Sequence, residues 1–149
     1  MTPKIDSFVA LYLLNDLKIN LNIMNSEEIM DHEIEYTEMV FNKEEALDRV
    51  DGDFELFVDI ISIFVQDTPE KMAQIEKELQ QQDAESLKRT AHSLKGSIGV
   101  FCADSAYNAA LKLESDARDG DWEKISTSYK QLDAEVKKLS DKLVEFAEG

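Results

Sequence analysis

Residues 84–101, AESLKRTAHSLKGSIGVF, contain the pattern that decides the fold. Their apolar side chains recur at alternating spacings of four and three residues: Leu87, Ala91, Leu94, Ile98 and Phe101. That spacing places all of them on one face of an α-helix and is typical of a helix packed inside a bundle. Asp83, just before the pattern, is a favourable N-cap. The stretch therefore predicts an amphipathic helix with a single buried face.

The rest of the chain has the same helical character. Only five of the 149 residues are glycine and two are proline, so few turns are available and most residues must lie in long elements. Apolar seams of the same spacing occur in three more segments, separated by short turns. The sequence predicts an all-α fold, an antiparallel up-and-down four-helix bundle with helices at about 53–80, 84–101, 104–118 and 121–147.

Two domains are expected. Residues 42–149 form the bundle, which opens with a short helix at about 43–50. Residues 1–41 form an N-terminal extension in which 8–14 fits helix and strand about equally well, whereas 26–39 begins like a helix with Ser26 as N-cap. We expect an additional helical segment there, packing on the bundle.

The first bundle helix is expected to have two apolar rows. The core row is formed by Phe54, Phe57, Val58, Ile61 and Val65. Thr68 and Pro69 follow, which predicts either a kinked helix or two abutting helices. The second row, on about the opposite face, is formed by Leu56, Ile60 and Ile63. Because a helix serving one core would leave that row in water, we expect residues 8–14 or a docking partner to cover it.

The composition argues against several classes of function. The formal net charge is −16 at pH 7, so nucleic acid and anionic membrane surfaces are unfavourable partners. The longest apolar run, 8–14, is far shorter than the roughly 20 residues of a membrane span, so no membrane insertion is expected. Cys102 is the only cysteine, which excludes an internal disulfide and suits a reducing cytoplasm, the location that we expect.

The sequence does not favour a metal site. Glu28, His32 and Glu35 share one helix face, but no second set of glutamate and histidine completes a ligand shell, so a solvated acidic face is the better interpretation. A carboxylate-bundle metalloenzyme needs Glu-x-x-His pairs on two helices, and neither His32 nor His92 has a glutamate three residues before it.

The exposed flank of helix 84–101 contains the candidate site. With the apolar seam facing the core, His92 lies on that flank beside Lys88, Lys95, Gly96 and Gly99. Residues 86–103 contain three cations, Lys95, Lys88 and Arg89, and no carboxylate, which suits an anion. Each mid-helix glycine costs about 1 kcal/mol relative to alanine, a cost that is reasonable if a partner must approach the histidine closely.

Glu114 is the candidate partner of the histidine. If the chain reverses near residue 103, Glu114 lies level with His92 across the helical hairpin. A carboxylate on one ring nitrogen would fix the tautomer and leave the other nitrogen free as a nucleophile. The sequence leaves open the alternative that Glu114 is a solvated residue on the surface of its helix.

These residues suit phosphoryl transfer, whose loose transition state demands mainly alignment and positive charge. The run AHSLKGS at 91–97, with LDRVDGDFELFVDIISIFVQDTPE at 47–70, KLE at 112–114 and an amphipathic last helix, resembles the histidine-containing phosphotransfer (HPt) domains of bacterial multistep phosphorelays. The resemblance covers about 42–149. Many members have glycine ten residues after the histidine, where this chain has Cys102, so the local turn is where a difference is expected.

The resemblance implies specific roles. His92 accepts a phosphoryl group from a receiver-domain aspartate and passes it to another, Lys95 assists the phosphate, Gly96 keeps the approach clear, and Glu114 orients His92. Receiver domains and a hybrid sensor histidine kinase are the implied partners, docking around Lys88, Arg89, Gly96 and Gly99. The chain is expected to need no cofactor of its own, with Mg²⁺ on the partner receiver, and to have no kinase activity because no Gly-rich phosphate loop is present. The competing hypothesis is a regulatory binding module that docks receivers or a kinase without being phosphorylated.

Overall fold

The structure, a computed structural model, describes residues 39–149, and the bundle unit comprises Val40–Gly149. It contains α1 (Lys43–Asp48), α2 (Phe54–Gln80), α3 (Ala84–Gly99), α4 (Asp104–Asp119) and α5 (Trp122–Glu148). The predicted all-α class is confirmed. Phe41, which the sequence prediction assigned to the N-terminal extension, is buried in the core of the bundle.

Side-chain caps set where four of the helices begin. Asn42, Asp53, Asp83 and Asp121 each accept a hydrogen bond from the backbone N–H three residues on, which satisfies one of the free amides of the first turn. Between these caps α2 runs unbroken through Pro69, so the alternative of two abutting helices is wrong.

The long helices form a closed ring. Helix α2 packs on α3 and α5, and α4 also packs on α3 and α5. Two hydrogen bonds join α2 and α3, one from Lys71 to Ser97 and one from Thr90 to Glu78. Residue 71 of α2 thus pairs with 97 of α3, and residue 78 pairs with 90, so the two helices are antiparallel. Tyr129 of α5 donates to Glu76 of α2. These pairings and the short turns define the predicted antiparallel four-helix bundle.

The core consists of the predicted seams. All five seam residues of 84–101 are at most 1% exposed, and the small residues Ala106, Ala110 and Ala117 of α4 are buried against them. One end of the bundle is closed by aromatic rings, in which Phe57 lies 5.9 Å from Phe101 and 5.6 Å from Phe146, centroid to centroid. Helix α1 lies near this end, since Ala46 is buried in the core and Arg49, just after the helix, donates a hydrogen bond to the carbonyl of Gly99.

Helix α2 differs from its prediction. Phe54, expected in the core row, is 48% exposed, with its ring centroid 5.6 Å from that of Phe146. Phe64, which the predicted core row did not include, is 5% exposed and packs on Phe101. Ile60 is partly buried against the core. The other residues of the second row, Leu56 and Ile63, are 45% and 59% exposed. Residues 8–14, expected to cover this row, lie outside the described residues.

The turn after α3 also differs from the sequence prediction. The helix ends at Gly99 instead of residue 101, and Cys102 then adopts φ 55°, in the left-handed region that glycine occupies without strain. The backbone carbonyl of Cys102 accepts a hydrogen bond from the amide of Asn42, so α1 braces the turn. Cysteine therefore maintains a turn of the kind that glycine would form.

None of the helices within 39–149 is long and apolar enough to span a lipid bilayer.

Two leucines of α4 provide a test of the core. Leu113 is fully buried, whereas Leu111, two residues earlier, is 41% exposed. We expect Leu113→Ala to lower the free energy of unfolding by about 2–5 kcal/mol because it leaves a cavity, and Leu111→Ala to change it by less than about 0.5 kcal/mol. Urea denaturation followed by circular dichroism measures both. Equal losses in the two variants would contradict the described orientation of α4.

Candidate functional site

His92 lies on the solvent side of α3, with 67% of its side chain exposed. Its Nδ1 atom is 2.8 Å from Oε2 of Glu114, a hydrogen-bond distance across the α3–α4 hairpin. The other ring nitrogen, Nε2, makes no hydrogen bond to any of residues 39–149. One ring nitrogen is therefore held by the protein, whereas the other has no hydrogen-bond partner among residues 39–149.

Small side chains between α3 and α4 allow this contact. Ala91 of α3 and Ala106, Ala109 and Ala110 of α4 are all buried, so the two backbones can approach closely. The turn at 100–103 sets the register, since α3 ends at Gly99 and α4 begins at Asp104. Residue 114 consequently lies opposite residue 92.

Glu114 is a buried carboxylate, 8% exposed, that receives two hydrogen bonds from α3. Nζ of Lys95 donates to Oε1 at 2.7 Å, and His92 contacts Oε2. The hydrogen bond from Lys95 is the main reason why the pKa of Glu114 is lowered; burial acts in the opposite direction, and the hydrogen bond with His92 adds to the lowering. Glu114 is therefore ionised at neutral pH.

The charge of Glu114 fixes the proton on the histidine. An ionised carboxylate only accepts hydrogen bonds, so Nδ1 of His92 must carry the proton and donate it. In the neutral ring the lone pair then resides on Nε2, which is the nucleophilic nitrogen. The arrangement presents a nucleophile of defined tautomer toward solvent.

A second buried carboxylate anchors α4 against α5. Asp116 is 3% exposed and accepts hydrogen bonds from Nζ of Lys112, at 2.6 and 2.7 Å, and from the hydroxyl of Ser128. Burial tends to raise the pKa of Asp116, but the bonds from Lys112 and Ser128 outweigh it, and the pKa is lowered. Because Asp116 follows Glu114 by two residues, this anchor also fixes the position of Glu114.

The basic stretch is less basic in three dimensions than in sequence. Lys88 lies 3.2 Å from Glu85, and Lys95 pairs with Glu114. Arg89 donates to the hydroxyl of Ser86 and has no carboxylate within 4 Å among residues 39–149. The predicted local excess of three positive charges is therefore wrong, because Glu85 lies just outside the stretch and Glu114 reaches it from α4.

The two glycines of the site differ. A Cβ added to Gly96 would lie more than 4 Å from any neighbouring side chain or helix among residues 39–149, and this helical position beside His92 is exposed. Gly99 is the last residue of α3, not a mid-helix residue as predicted, and a Cβ there would lie 3.5 Å from the ring of Tyr107. Only Gly96 has a position that the packing of the protein itself does not explain.

Three residues near the site were not singled out from the sequence. Lys71 of α2 donates to Ser97 at 3.1 Å. Tyr107 and Leu111 of α4 are 37% and 41% exposed, and the ring of Tyr107 lies 5.9 Å from Nζ of Lys95. The spacing of Tyr107, Leu111 and Glu114 places them on one face of α4, a signal that was available, whereas the position of Lys71 depends on the register between α2 and α3.

No cluster of three or more histidine, cysteine, aspartate or glutamate side chains within residues 39–149 has the geometry of a metal site. The set Glu28, His32 and Glu35 lies outside the described residues.

Fold and site together define a helical bundle in which an exposed histidine is held by a buried carboxylate. The family model described as the Hpt domain matches residues 59–142, and the chain belongs to this family. Hpt domains are phosphocarriers of two-component phosphorelays and interact with receiver domains. No curated protein and no solved structure shows a significant match to the chain.

The lowered pKa of Glu114 predicts a pH dependence. In Lys95→Met the main donor is lost, so the pKa of Glu114 should rise, as an NMR titration of its side-chain carboxyl would show. A carboxyl group with a lowered folded-state pKa adds stability above its unfolded pKa, about 4.5, and loses it as pH falls through the folded value. The difference in the free energy of unfolding between wild type and Lys95→Met should therefore become smaller as the pH falls below 4.5. Lys88→Met, which removes an ammonium paired with Glu85, serves as control and should leave the Glu114 titration unchanged.

Proposed function

We propose that His92 accepts a phosphoryl group from the aspartyl phosphate of one receiver domain and passes it to an aspartate of another. The observation that supports this most directly is the 2.8 Å contact between Nδ1 of His92 and Glu114 on a ring that is 67% exposed. A solvated histidine without a function has no need of a buried carboxylate behind it. Membership in the Hpt family supports the same chemistry.

The transfer step follows from the tautomer. The lone pair on Nε2 attacks phosphorus, the bond from phosphorus to the aspartate oxygen breaks, and the receiver recovers its carboxylate. The ring keeps its proton on Nδ1 and gains positive charge as the N–P bond forms. Glu114, 8% exposed and negative, stabilises that charge through the hydrogen bond already in place. The reverse sequence delivers the phosphoryl group to the next receiver.

Lys95 has two tasks in this proposal. Its ammonium group keeps Glu114 ionised, and it adds a positive charge to a site that must accept an anionic group. At 15% exposure Lys95 is largely ordered before the partner arrives, so little conformational entropy is lost on binding.

The phosphoryl group comes from outside the chain. Since the sequence has no Gly-rich phosphate loop, we assign the phosphorylation of the first receiver to a hybrid sensor histidine kinase. The Mg²⁺ ion that neutralises charge during transfer belongs, in this proposal, to the receiver.

A labelling experiment tests the proposal. A receiver carrying ³²P-aspartyl phosphate, incubated with the full chain, should transfer an acid-labile, base-stable label. We expect His92→Gln to abolish the label and His32→Gln, which changes the only other histidine, to retain it. A label that survives in His92→Gln, or no label on the wild type from any receiver of the source organism, would contradict the assignment.

A further variant, His92→Ala, distinguishes the phosphocarrier from the regulatory binding module. That hypothesis predicts that His92→Ala retains both receiver affinity and signalling. The phosphocarrier hypothesis predicts retained folding but lost signalling, because the nucleophile is gone while the bundle is not disturbed.

Gly96 provides a prediction that separates stability from transfer. Because residues 39–149 leave room for a Cβ at this position, Gly96→Ala should stabilise α3 by up to about 1 kcal/mol. Gly96→Leu should also fold, yet slow phosphotransfer about tenfold or more, since a misfit against a partner costs on the order of 1–3 kcal/mol. Thermal unfolding and transfer rates measure the two effects. Ser126→Leu, an exposed position of α5, is the control; unimpaired transfer in Gly96→Leu would show that no partner approaches Gly96.

A further inference from the structure

The second row of α2, formed by Leu56, Ile60 and Ile63, lies far from the phosphotransfer site. The hydrogen bonds between α2 and α3 fix the register of the two helices, and in that register His92 is level with residue 76 of α2. At 1.5 Å per residue, Ile63 lies about 20 Å and Leu56 about 30 Å along the bundle from that level. A partner bound to the second row therefore leaves His92 uncovered.

The second row exposes apolar surface that the core of the bundle does not use. Ile63 is 59% exposed, the largest fraction among the large apolar side chains of residues 39–149, and Leu56 is 45% exposed. Ile60, between them, is partly buried against the core. Spacings of four and three residues place all three on one face of α2. Single exposed apolar side chains are common, but a row at helical spacing is the surface against which the apolar face of another helix packs.

The residues beside this row are acidic. Residues 50–70 contain six acidic side chains and no lysine or arginine. Asp59 and Asp67, both exposed, lie one turn before and one turn after Ile63, so they flank it on the surface of α2. In the part of the chain that the structure describes, neither carboxylate has a basic side-chain nitrogen within 4 Å. The face is therefore apolar along the row and negative beside it.

These charges discriminate between possible occupants of the row. A second copy of the chain, bound through the same face, would bring its own acidic residues against these, and like charges across an interface are unfavourable. Residues 8–14 contain no charged side chain, and Lys4 and Lys18 are the only lysine or arginine residues of the sequence 1–38. A helix with cations beside an apolar stripe matches both the row and its charges.

We propose that the second row binds an amphipathic helix of another protein, in which an apolar stripe is flanked by lysine or arginine side chains. The stripe packs on Leu56 and Ile63, and the cations contact Asp59 and Asp67. The row extends over only about 10 Å of α2, so the contact is small and reversible. This docking site goes beyond the proposed phosphoryl transfer and does not rest on it: it holds the protein to a partner while His92 remains uncovered.

A designed peptide tests the proposal on the full chain. The probe is a fluorescent helical peptide of about 14 residues, about 21 Å long, with leucine at positions i, i+4, i+7 and i+11 and lysine or alanine elsewhere. Fluorescence anisotropy should show binding to the wild type with a dissociation constant in the micromolar range. Two control peptides, one with serine in place of leucine and one with glutamate in place of lysine, should each bind about tenfold more weakly or less, because each lacks part of the match.

Substitutions on α2 test the apolar contact. Ile63→Ser should raise the dissociation constant of the lysine–leucine peptide about tenfold, because the burial of the isoleucine side chain is lost. Leu111→Ser is the matched control: Leu111 is 41% exposed but lies on α4, and its replacement should leave the affinity unchanged. Circular dichroism should show that both variants keep the helix content of the wild type, since both side chains are exposed.

Salt dependence tests the charge contact. Asp59→Asn should weaken peptide binding at low salt, and this difference from the wild type should vanish near about 1 M NaCl, where the screening length is only about 3 Å. Asp119→Asn is the control, since it removes an exposed carboxylate at the last residue of α4, at the opposite end of the bundle from the second row. This variant should bind the peptide like the wild type.

The outcomes separate this proposal from the phosphocarrier function. The docking site is wrong if the lysine–leucine peptide does not bind the wild type, if the glutamate peptide binds equally well, or if Ile63→Ser and Leu111→Ser have equal affinities. A dimer of the wild type that Ile63→Ser dissociates would assign the row to a second copy instead. Saturating peptide should leave the rate of phosphotransfer unchanged, and inhibition would contradict a site remote from His92. If the peptide binds as expected but no receiver labels the wild type, the phosphocarrier function fails and the docking site stands.

Discussion

The close packing of α3 on α4 is the constraint on which the site depends. Buried alanines at the contact, Ala91 on one side and Ala106 and Ala110 on the other, bring the two backbones near each other. Only at that separation can Glu114 reach His92 at 2.8 Å and Lys95 at 2.7 Å. Larger side chains at these positions would push the helices apart and lengthen both contacts. The small residues are thus a requirement of the chemistry as much as of the fold.

Burial of the Glu114 charge then organises the rest of the site. A carboxylate that is 8% exposed must be compensated, and breaking a buried ion pair by removing one partner costs roughly 3–5 kcal/mol. Both of its donors come from α3, so satisfying the charge also orients the imidazole. Asp116 is a second buried carboxylate of this kind, with Lys112 of α4 and Ser128 of α5 as its donors. Two compensated carboxylates two residues apart therefore connect the histidine to three of the four long helices.

Much of the fold, and the pairing of His92 with Glu114, was predictable because both depend on local periodicity. The seam of 84–101 predicted the buried face of α3, and counting residues from the hairpin turn identified Glu114 as level with His92. The predictions that were wrong concern contacts between residues outside the local pattern. The charges of Lys88 and Lys95 are neutralised by Glu85 and Glu114, outside the stretch that was counted. Likewise, periodicity placed Phe54 in the core, whereas the end of the bundle uses Phe64, since the aromatic cluster there decides which rings fit.

Neutralisation of the basic stretch bears on how such a protein recognises its partners. A chain of net charge −16 offers little long-range attraction to an anionic aspartyl phosphate, and screening limits any attraction to about 8 Å at physiological salt. Any recognition of such an anionic group therefore has to rely on contacts at short range. Gly96 is consistent with this requirement: it leaves no side chain beside His92, although residues 39–149 leave room for a Cβ there. The site is therefore suited to close approach and not to electrostatic steering. The loss of helix stability caused by Gly96, relative to alanine, is consistent with that arrangement.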